Sequence, residues 1–170
     1  MPDKRKSGVE LFFINFALFA LLLLLHTVGD SVIKIAGATP ILTLSALIAF
    51  SMFASEWTSS FTGLVLGIFA DSVSANGSLF NTVCYLLIAL FVSVILHFLF
   101  NNNLRSSIAV GLIGSVFFFT LKWLIFFALS RNVQNSLPYL LYTALPSALY
   151  TAIAVVPFYY LERYLFKKYS

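Results

Sequence analysis

The chain has 170 residues, of which 61% are hydrophobic and only 9% are charged, and its mean hydropathy is +0.98. A soluble globular domain carries about 25% charged residues, so this chain has too few charges to cover a water-facing surface. The composition therefore excludes an ordinary soluble domain and predicts an all-α, polytopic membrane protein. No segment outside the apolar runs is long enough for a second domain, so residues 1–170 form one domain.

The first half of the chain contains three apolar segments. A basic N-terminus, residues 1–8, precedes the run Val9–Val28, which we interpret as an uncleaved helix because it exceeds the apolar core of a signal peptide. Pro40 is predicted to start the second helix, Pro40–Ala54, since proline is tolerated at a first helical position. The third segment, Thr58–Asp71, is short, which predicts a tilted or partly re-entrant helix or a locally thinned bilayer.

The second half contains three longer segments, predicted at Leu79–Phe100, Ser106–Leu129 and Pro138–Phe166. Pro146 and Pro157 interrupt the last of these, so it is expected to be kinked or tilted. The sequence therefore predicts six transmembrane helices in one bundle. Five crossings are the alternative, because the second and third segments are short.

The basic residues follow this topology. Six crossings place both termini on one side of the membrane, and that side receives seven basic residues against two on the other. The seven are Lys4, Arg5, Lys6, Arg105, Arg163, Lys167 and Lys168, and the two are Lys34 and Arg131. The positive-inside rule then places both termini in the cytoplasm. Because topology accounts for the basic balance, we expect the bilayer as a partner and no nucleic acid.

Three residues of the third segment share one helix face. Gly63, Gly67 and Asp71 are spaced four residues apart, and small residues let neighbouring membrane helices approach closely. An acid at a helix C-terminus opposes the macrodipole, so Asp71 needs a partner or a capping role. The alternative is that the glycines only permit packing and Asp71 belongs to the outer loop. A polar run ending in Gly77 follows.

Lys122 lies deep inside the fifth apolar segment, about seven residues from its outer end. A cation at this depth costs about 2.5–3.5 kcal/mol at a helix centre on the insertion scale, so it requires an acid or must snorkel outward. Asp71 ends the third segment on the same outer side of the membrane. We therefore predict a Lys122–Asp71 pair, with snorkelling as the equal alternative.

The last segment carries a strip of small residues. Ala144, Ala148 and Ala152 repeat a small-xxx-small spacing that favours close helix packing. The strip is predicted to pack within the bundle, with a partner protein as the second possibility.

Motifs for catalysis or metal binding are absent from the sequence. It contains no CxxC, HExxH, GxSxG or glycine-rich phosphate loop. His26 and His97 fall at opposite sides of the predicted membrane, so they cannot share a metal ion. The single cysteine, Cys84, cannot form an intramolecular disulfide. We expect a non-enzymatic protein with no catalytic residue, metal or cofactor.

The stretch GLVLGIFADSVSANGSLFNT resembles a segment of the bacterial rod shape-determining MreD family, in which a glycine-containing helix runs into an acid and a small polar turn. The closing LPYLLYTALPSALYTAIAVVPFYYLERYLFKK is similar to that family's last helix. The resemblance implies a bundle like the substrate-binding (S) subunits of energy-coupling-factor transporters. It also implies a component of the cell-elongation (rod) complex in the cytoplasmic (inner) membrane, supporting peptidoglycan synthesis. Implied partners are MreC, MreB indirectly, and RodA with its class B penicillin-binding protein.

A ligand-capturing subunit of an energy-coupling-factor vitamin transporter is the alternative. Its outward pocket would be lined by Asp71, Asn76, Lys122 and Trp123. The AxxxA pattern that such subunits often carry in their first helix is missing. A membrane enzyme acting on lipids is a weaker third possibility, because the acids and histidines do not converge at one face.

Overall fold

The computed structural model describes residues 4–29, 38–73, 79–99, 103–125 and 136–169, and the regular elements in these ranges are helices, which confirms the predicted all-α class. The first five are α1 (Lys4–Gly29), α2 (Leu42–Ser51), α3 (Glu56–Val73), α4 (Phe80–Leu99) and α5 (Leu104–Trp123). The last stretch begins as the single turn α6 (Ser136–Tyr139), passes through a π-helical turn (Leu140–Ala144) and continues as α7 (Leu145–Tyr169).

The second helix differs most from its predicted bounds. It begins at Leu42 rather than Pro40 and ends at Ser51 rather than Ala54. The approach to it is extended, with Ile41 at φ −91° and ψ 90°, because side chains of α7 bind its amides. The Thr39 N–H donates to the Ser147 hydroxyl at 3.2 Å, and the Ile41 N–H donates to the Thr151 hydroxyl at 3.1 Å. Pro40 therefore precedes the helix instead of starting it.

The other helices agree with the predicted segments to within a few residues where the structure describes them. α1 begins earlier than predicted, and α3 is longer at both ends, with 18 residues. The predicted end of the fifth segment at Leu129 lies outside the described residues. The π-helical turn directly precedes α7. Pro146 is the second residue of α7, and its missing N–H removes an α-helical hydrogen bond at that point.

Helix α2 is the centre of the bundle. Residues Thr43 to Ser51 are all buried, and α2 contacts α1, α3, α4, α5 and α7. Around it, α3 pairs with α4 in the most extensive helix contact, and α5 pairs with α7. Aromatic side chains close one end of this core: Phe50 lies against Phe19 and Phe166, with ring centroids 5.8 and 5.9 Å apart.

Two described helices are long and apolar enough to cross a membrane by length and composition, Leu104–Trp123 and Leu140–Tyr169. Three further apolar helical stretches are shorter: Phe13–Leu25, Leu42–Ser51 and Phe80–Leu96. Many large apolar side chains point outward from the bundle, among them Phe61, Leu149 and Ile153, each more than half exposed.

Candidate functional site

The two glycines of α3 lie directly against the backbone of α4. A Cβ atom at Gly67 would meet the Cα of Thr82, stand 2.8 Å from the Thr82 nitrogen and 2.9 Å from the carbonyl oxygen of Asn81. At Gly63, a Cβ would lie 2.7 Å from the carbonyl oxygen of Tyr85. Real Cβ atoms do not approach backbone atoms this closely, so only glycine permits this separation of α3 and α4.

Asp71 continues the same face of α3 and caps the start of α4. The N–H of Asn81 donates to its Oδ1 at 3.1 Å. The N–H and the hydroxyl of Thr82 both donate to its Oδ2, at 2.8 and 2.6 Å. These amides belong to the first turn of α4, which has no intrahelical acceptors, and the positive end of the α4 dipole favours a carboxylate there. Gly63, Gly67 and Asp71 thus form one contact surface with α4, called here the α3–α4 joint.

The predicted partner of Asp71 lies in the last turn of α5, where Lys122 is half-buried. A cation in this position is favoured by the negative end of the helix dipole. The hydrogen bonds that place Asp71 run to α4, and the Lys122–Asp71 pair stays a prediction. Gly77 and Asn76 lie outside the described residues.

The small-residue strip, which runs from the end of the π-helical turn into α7, is buried inside the bundle. Ala144, Ala148 and Ala152 are each at most 3% exposed. Close packing brings polar groups together across the helices: the Ser115 hydroxyl of α5 donates to the Ala148 carbonyl at 3.0 Å, and the Ser45 hydroxyl of α2 donates to the Thr151 carbonyl at 2.8 Å. The structure thus places the strip between α2 and α5.

Gly111 extends this packing on the α5 side. A Cβ atom there would lie 3.0 Å from Cγ2 of Val155. Together with the hydrogen bonds described above, this close approach fixes α2, α5 and α7 as one unit. The side chains that join them are small or hydroxylated, which lets the backbones come close while each hydroxyl finds a carbonyl or amide partner.

Glu162 is a polar residue that sequence reasoning did not single out as a site. Its side chain is 0% exposed, and neither carboxylate oxygen has a hydrogen-bond partner among the described residues. It lies on the buried face of α7, between Tyr159 and Phe166, which both pack against Phe53. A carboxyl group among aromatic side chains in an otherwise apolar stretch was the available signal, but burial depends on tertiary contacts that the sequence does not reveal.

A wide groove opens between α1 and α3, and we refer to it as the α1–α3 groove. Its volume is about 700 Å³. Residues at or just after the end of α2 and near the end of α7 close its inner side, and nearly all of its lining is apolar. The lining includes Phe16, Phe19 and Leu23 of α1, Val65, Phe69 and Val73 of α3, and Phe50, Phe53 and Phe166 of the inner side. A smaller apolar groove of about 300 Å³ lies between α4 and α5.

One buried polar side chain lines the α1–α3 groove. Asn15 is 4% exposed, and its Nδ2 donates to the carbonyl of Leu11 at 3.1 Å on the same helix. Its Oδ1 has no hydrogen-bond partner among the described residues. Sequence reasoning missed this residue, although an asparagine in the apolar run of α1 was a readable signal.

The described residues bring together no group of three histidine, cysteine or acidic side chains that could hold a metal ion. The thiol of Cys84 is buried in α4, next to the contact with α3. Several polar side chains, among them Asp71, Ser115 and Thr151, join segments of the bundle through hydrogen bonds.

Comparisons with known proteins add no relative. No family model matches the sequence, and no curated protein or solved structure matches it significantly.

Proposed function

We propose that the chain is a multi-pass protein of the bacterial cytoplasmic membrane, with six crossings and both termini in the cytoplasm. Three observations support this placement: the excess of basic residues on one side, the two long apolar helices, and the apolar side chains that cover the outer faces. A monomer in water rarely exposes contiguous apolar surface of this kind, whereas lipid solvates it.

The short α2 is compatible with this placement. Its 10 residues extend about 15 Å, roughly half of the hydrocarbon core. The rest of that crossing is the extended approach through Thr39 and Ile41, whose amides are bound by Ser147 and Thr151. Non-helical backbone is tolerated at membrane depth only where protein or water satisfies it, and here α7 does so.

Within that membrane, we propose a non-enzymatic role in the cell-elongation (rod) complex, of the MreD type, through contacts with MreC and other elongation proteins. The observation that carries this proposal is the α3–α4 joint. The residues that carry the sequence resemblance, Gly63, Gly67 and Asp71, are engaged in joining two helices rather than in binding a substrate. A signature made of structural contacts is what a scaffold in a membrane complex requires.

A ligand-capturing transporter subunit is the second candidate. The volume of the α1–α3 groove favours it, because small-molecule sites measure about 300–1,000 Å³. Such sites also carry several convergent polar groups that orient the ligand. The groove wall is almost wholly apolar, which fits a vitamin less well than it fits hydrocarbon.

Depletion in the rod-shaped bacterium that encodes the chain separates the two candidates. Rounded cells that regain their shape with the wild-type chain would support the elongation role. Complementation by Gly67→Leu should fail, because the α3–α4 joint cannot close, while a conservative change of an outward side chain, Ile153→Leu, should complement fully. Normal rod shape with a new requirement for a vitamin would contradict the elongation role and favour transport.

A further inference from the structure

The hydroxyl-bearing residues that line the α1–α3 groove lie at the end where α3 begins, and this end is called here its polar end. Asn15 of α1 and the hydroxyl-bearing Ser55 and Thr58, at the start of α3, line it together with apolar residues that continue to Val73. In the proposed topology, the turn between α2 and α3 faces the cytoplasm. The polar end of the groove therefore lies at the inner membrane surface, and the apolar part extends into the bilayer.

The hydroxyl groups of Ser55 and Thr58 bond to each other at 2.8 Å, whereas one atom of Asn15 is left without a partner in the described part of the chain. The side chain of Asn15 lines the groove, and its Oδ1 is buried with no hydrogen-bond partner among the described residues. A buried acceptor without a donor costs about 1–3 kcal/mol. An occupant that brings a hydroxyl or ammonium donor to this position would remove that cost.

Basic residues are close in sequence to this end of the groove. Phe166 lines the groove, and the next two residues of α7, Lys167 and Lys168, are exposed. The first turn of α1, a helix that lines the groove, contains three further basic residues in its sequence: Lys4, Arg5 and Lys6. Against these five basic residues, the sequence has three acidic residues in the N-terminal segment and at the start of α3, Asp3, Glu10 and Glu56. This excess of positive charge favours an anionic headgroup.

The apolar part has the length of a lipid chain. From Thr58 to Val73 the groove wall follows 16 residues of α3, a rise of about 22 Å. One leaflet of the hydrocarbon core is about 15 Å thick. The groove is therefore long enough to hold an acyl chain from the inner surface to beyond the bilayer midplane.

We propose that the α1–α3 groove binds one anionic phospholipid of the inner leaflet. Its acyl chain lies along the apolar wall, and its headgroup lies between Asn15, Ser55 and the lysines at the end of α7. This inference rests on the membrane placement proposed above, but not on the role in cell elongation. It identifies a lipid site that includes the unpaired amide oxygen of Asn15.

Native mass spectrometry of the full chain, purified in detergent and incubated with phosphatidylglycerol or phosphatidylcholine, tests this site. Phosphatidylglycerol is anionic and carries hydroxyl donors, whereas phosphatidylcholine offers neither a net charge nor a donor. We expect one bound phosphatidylglycerol per chain, retained several-fold more than phosphatidylcholine. The double variant Lys167→Gln/Lys168→Gln should lower that retention about fivefold for each lysine removed, and Asn15→Leu should lower it as well.

Two variants separate the groove from the rest of the surface. Val65→Trp fills the groove wall and should abolish retention, while Ile153→Trp, on an exposed face of α7, should leave it unchanged. Arg105→Gln removes a basic residue at the start of α5, away from the groove, and serves as the charge control. A loss with Arg105→Gln equal to that of the lysine variant would overturn the proposal, because it would show general surface attraction.

Other outcomes are equally decisive. Equal retention of the two lipids, undiminished binding by Val65→Trp, or a dimer that excludes lipid from the groove would each overturn the lipid site while leaving the membrane placement intact. Release of the chain from membranes by alkaline wash without detergent would contradict the membrane placement itself, and the lipid site with it. Normal cell shape after depletion would contradict only the elongation role.

Discussion

At the scale of single residues, Asp71 is the clearest case of a polar side chain with a defined structural task. Its carboxylate receives three hydrogen bonds from Asn81 and Thr82, which begin α4. Asp71→Ala leaves these donors without an acceptor, and we expect it to lower the free energy of unfolding by about 2 kcal/mol. Asp71→Asn keeps one oxygen acceptor and should lose less. Thermal unfolding of both purified variants in detergent provides the measurement, and equal losses would contradict the capping role.

The capping role changes how the Lys122–Asp71 pair must be tested. A charge swap would place a lysine at the positive end of the α4 dipole, so it would be harmful whether or not the pair exists. A double-mutant cycle with Asp71→Asn and Lys122→Gln avoids this problem. A coupling energy above about 0.5 kcal/mol would support the pair, and additive effects on stability would exclude it.

Replacing Glu162 is expected to stabilise the protein, whereas replacing Asp71 is expected to destabilise it. Glu162 is fully buried without a hydrogen-bond partner among the described residues, and such a group costs about 1–3 kcal/mol. We expect Glu162→Leu to stabilise the protein by an amount in this range, which unfolding in detergent would measure. Glu10→Leu, at an exposed acid, is the matched control and should change little. Marked destabilisation by Glu162→Leu would show that the carboxyl group has a binding partner in the folded protein.

Asp71, Asn15 and Glu162 show how much the sequence reveals about single residues. Asp71 is recognisable because its spacing from Gly63 and Gly67 places it on one helix face, and the requirement for a cap or partner follows from the helix dipole. Asn15 and Glu162 are visible as polar residues in apolar runs. The sequence does not show that they lack hydrogen-bond partners, because this depends on which helices surround them.

At the scale of helices, the α3–α4 joint is determined by glycine. Gly67→Ala places a methyl group against the backbone of Thr82, which cannot move without separating the helices. Gly114→Ala is the matched control, because its Cβ would meet side-chain methyl groups of Ile48 and Ile88, at 3.2 and 3.4 Å, and no backbone atom that close. We expect Gly67→Ala to cost at least the 1–3 kcal/mol typical of overpacking, and Gly114→Ala to cost clearly less. Equal thermal midpoints for the two variants would contradict the joint.

Helix positions follow from hydropathy, but their ends do not all follow from it. Pro40 has the properties of a first helical residue, yet α2 begins at Leu42. The reason lies 108 to 110 residues away, where Ser147 and Thr151 bind the amides of Thr39 and Ile41 and hold them in extended form. A sequence pattern cannot anticipate such a contact. The packing of the α7 alanines, by contrast, was predictable from their regular spacing.

At the scale of the whole molecule, the chain combines a rigid interior with apolar outer faces. Helices α2, α5 and α7 are held by small residues and hydroxyl bonds, and α3 is joined to α4 by glycines and a carboxylate. Helix α1 makes few contacts with α3, and the α1–α3 groove opens between the two helices. The predicted number of helices follows from hydropathy, whereas the groove follows from how α1 packs, which hydropathy does not specify.

The six-crossing arrangement with both termini in the cytoplasm is the claim on which the proposals depend, and cysteine accessibility tests it most directly. Cys84 is the sole natural cysteine, so Cys84→Ala provides a background for single cysteines. The sites are the exposed positions Ser55→Cys, Leu79→Cys and Asn103→Cys, located before α3, α4 and α5. A membrane-impermeant maleimide added to spheroplasts should label only the cysteine at position 79, and the other two should react after permeabilisation. Labelling of positions 79 and 103 from the same side would contradict the topology.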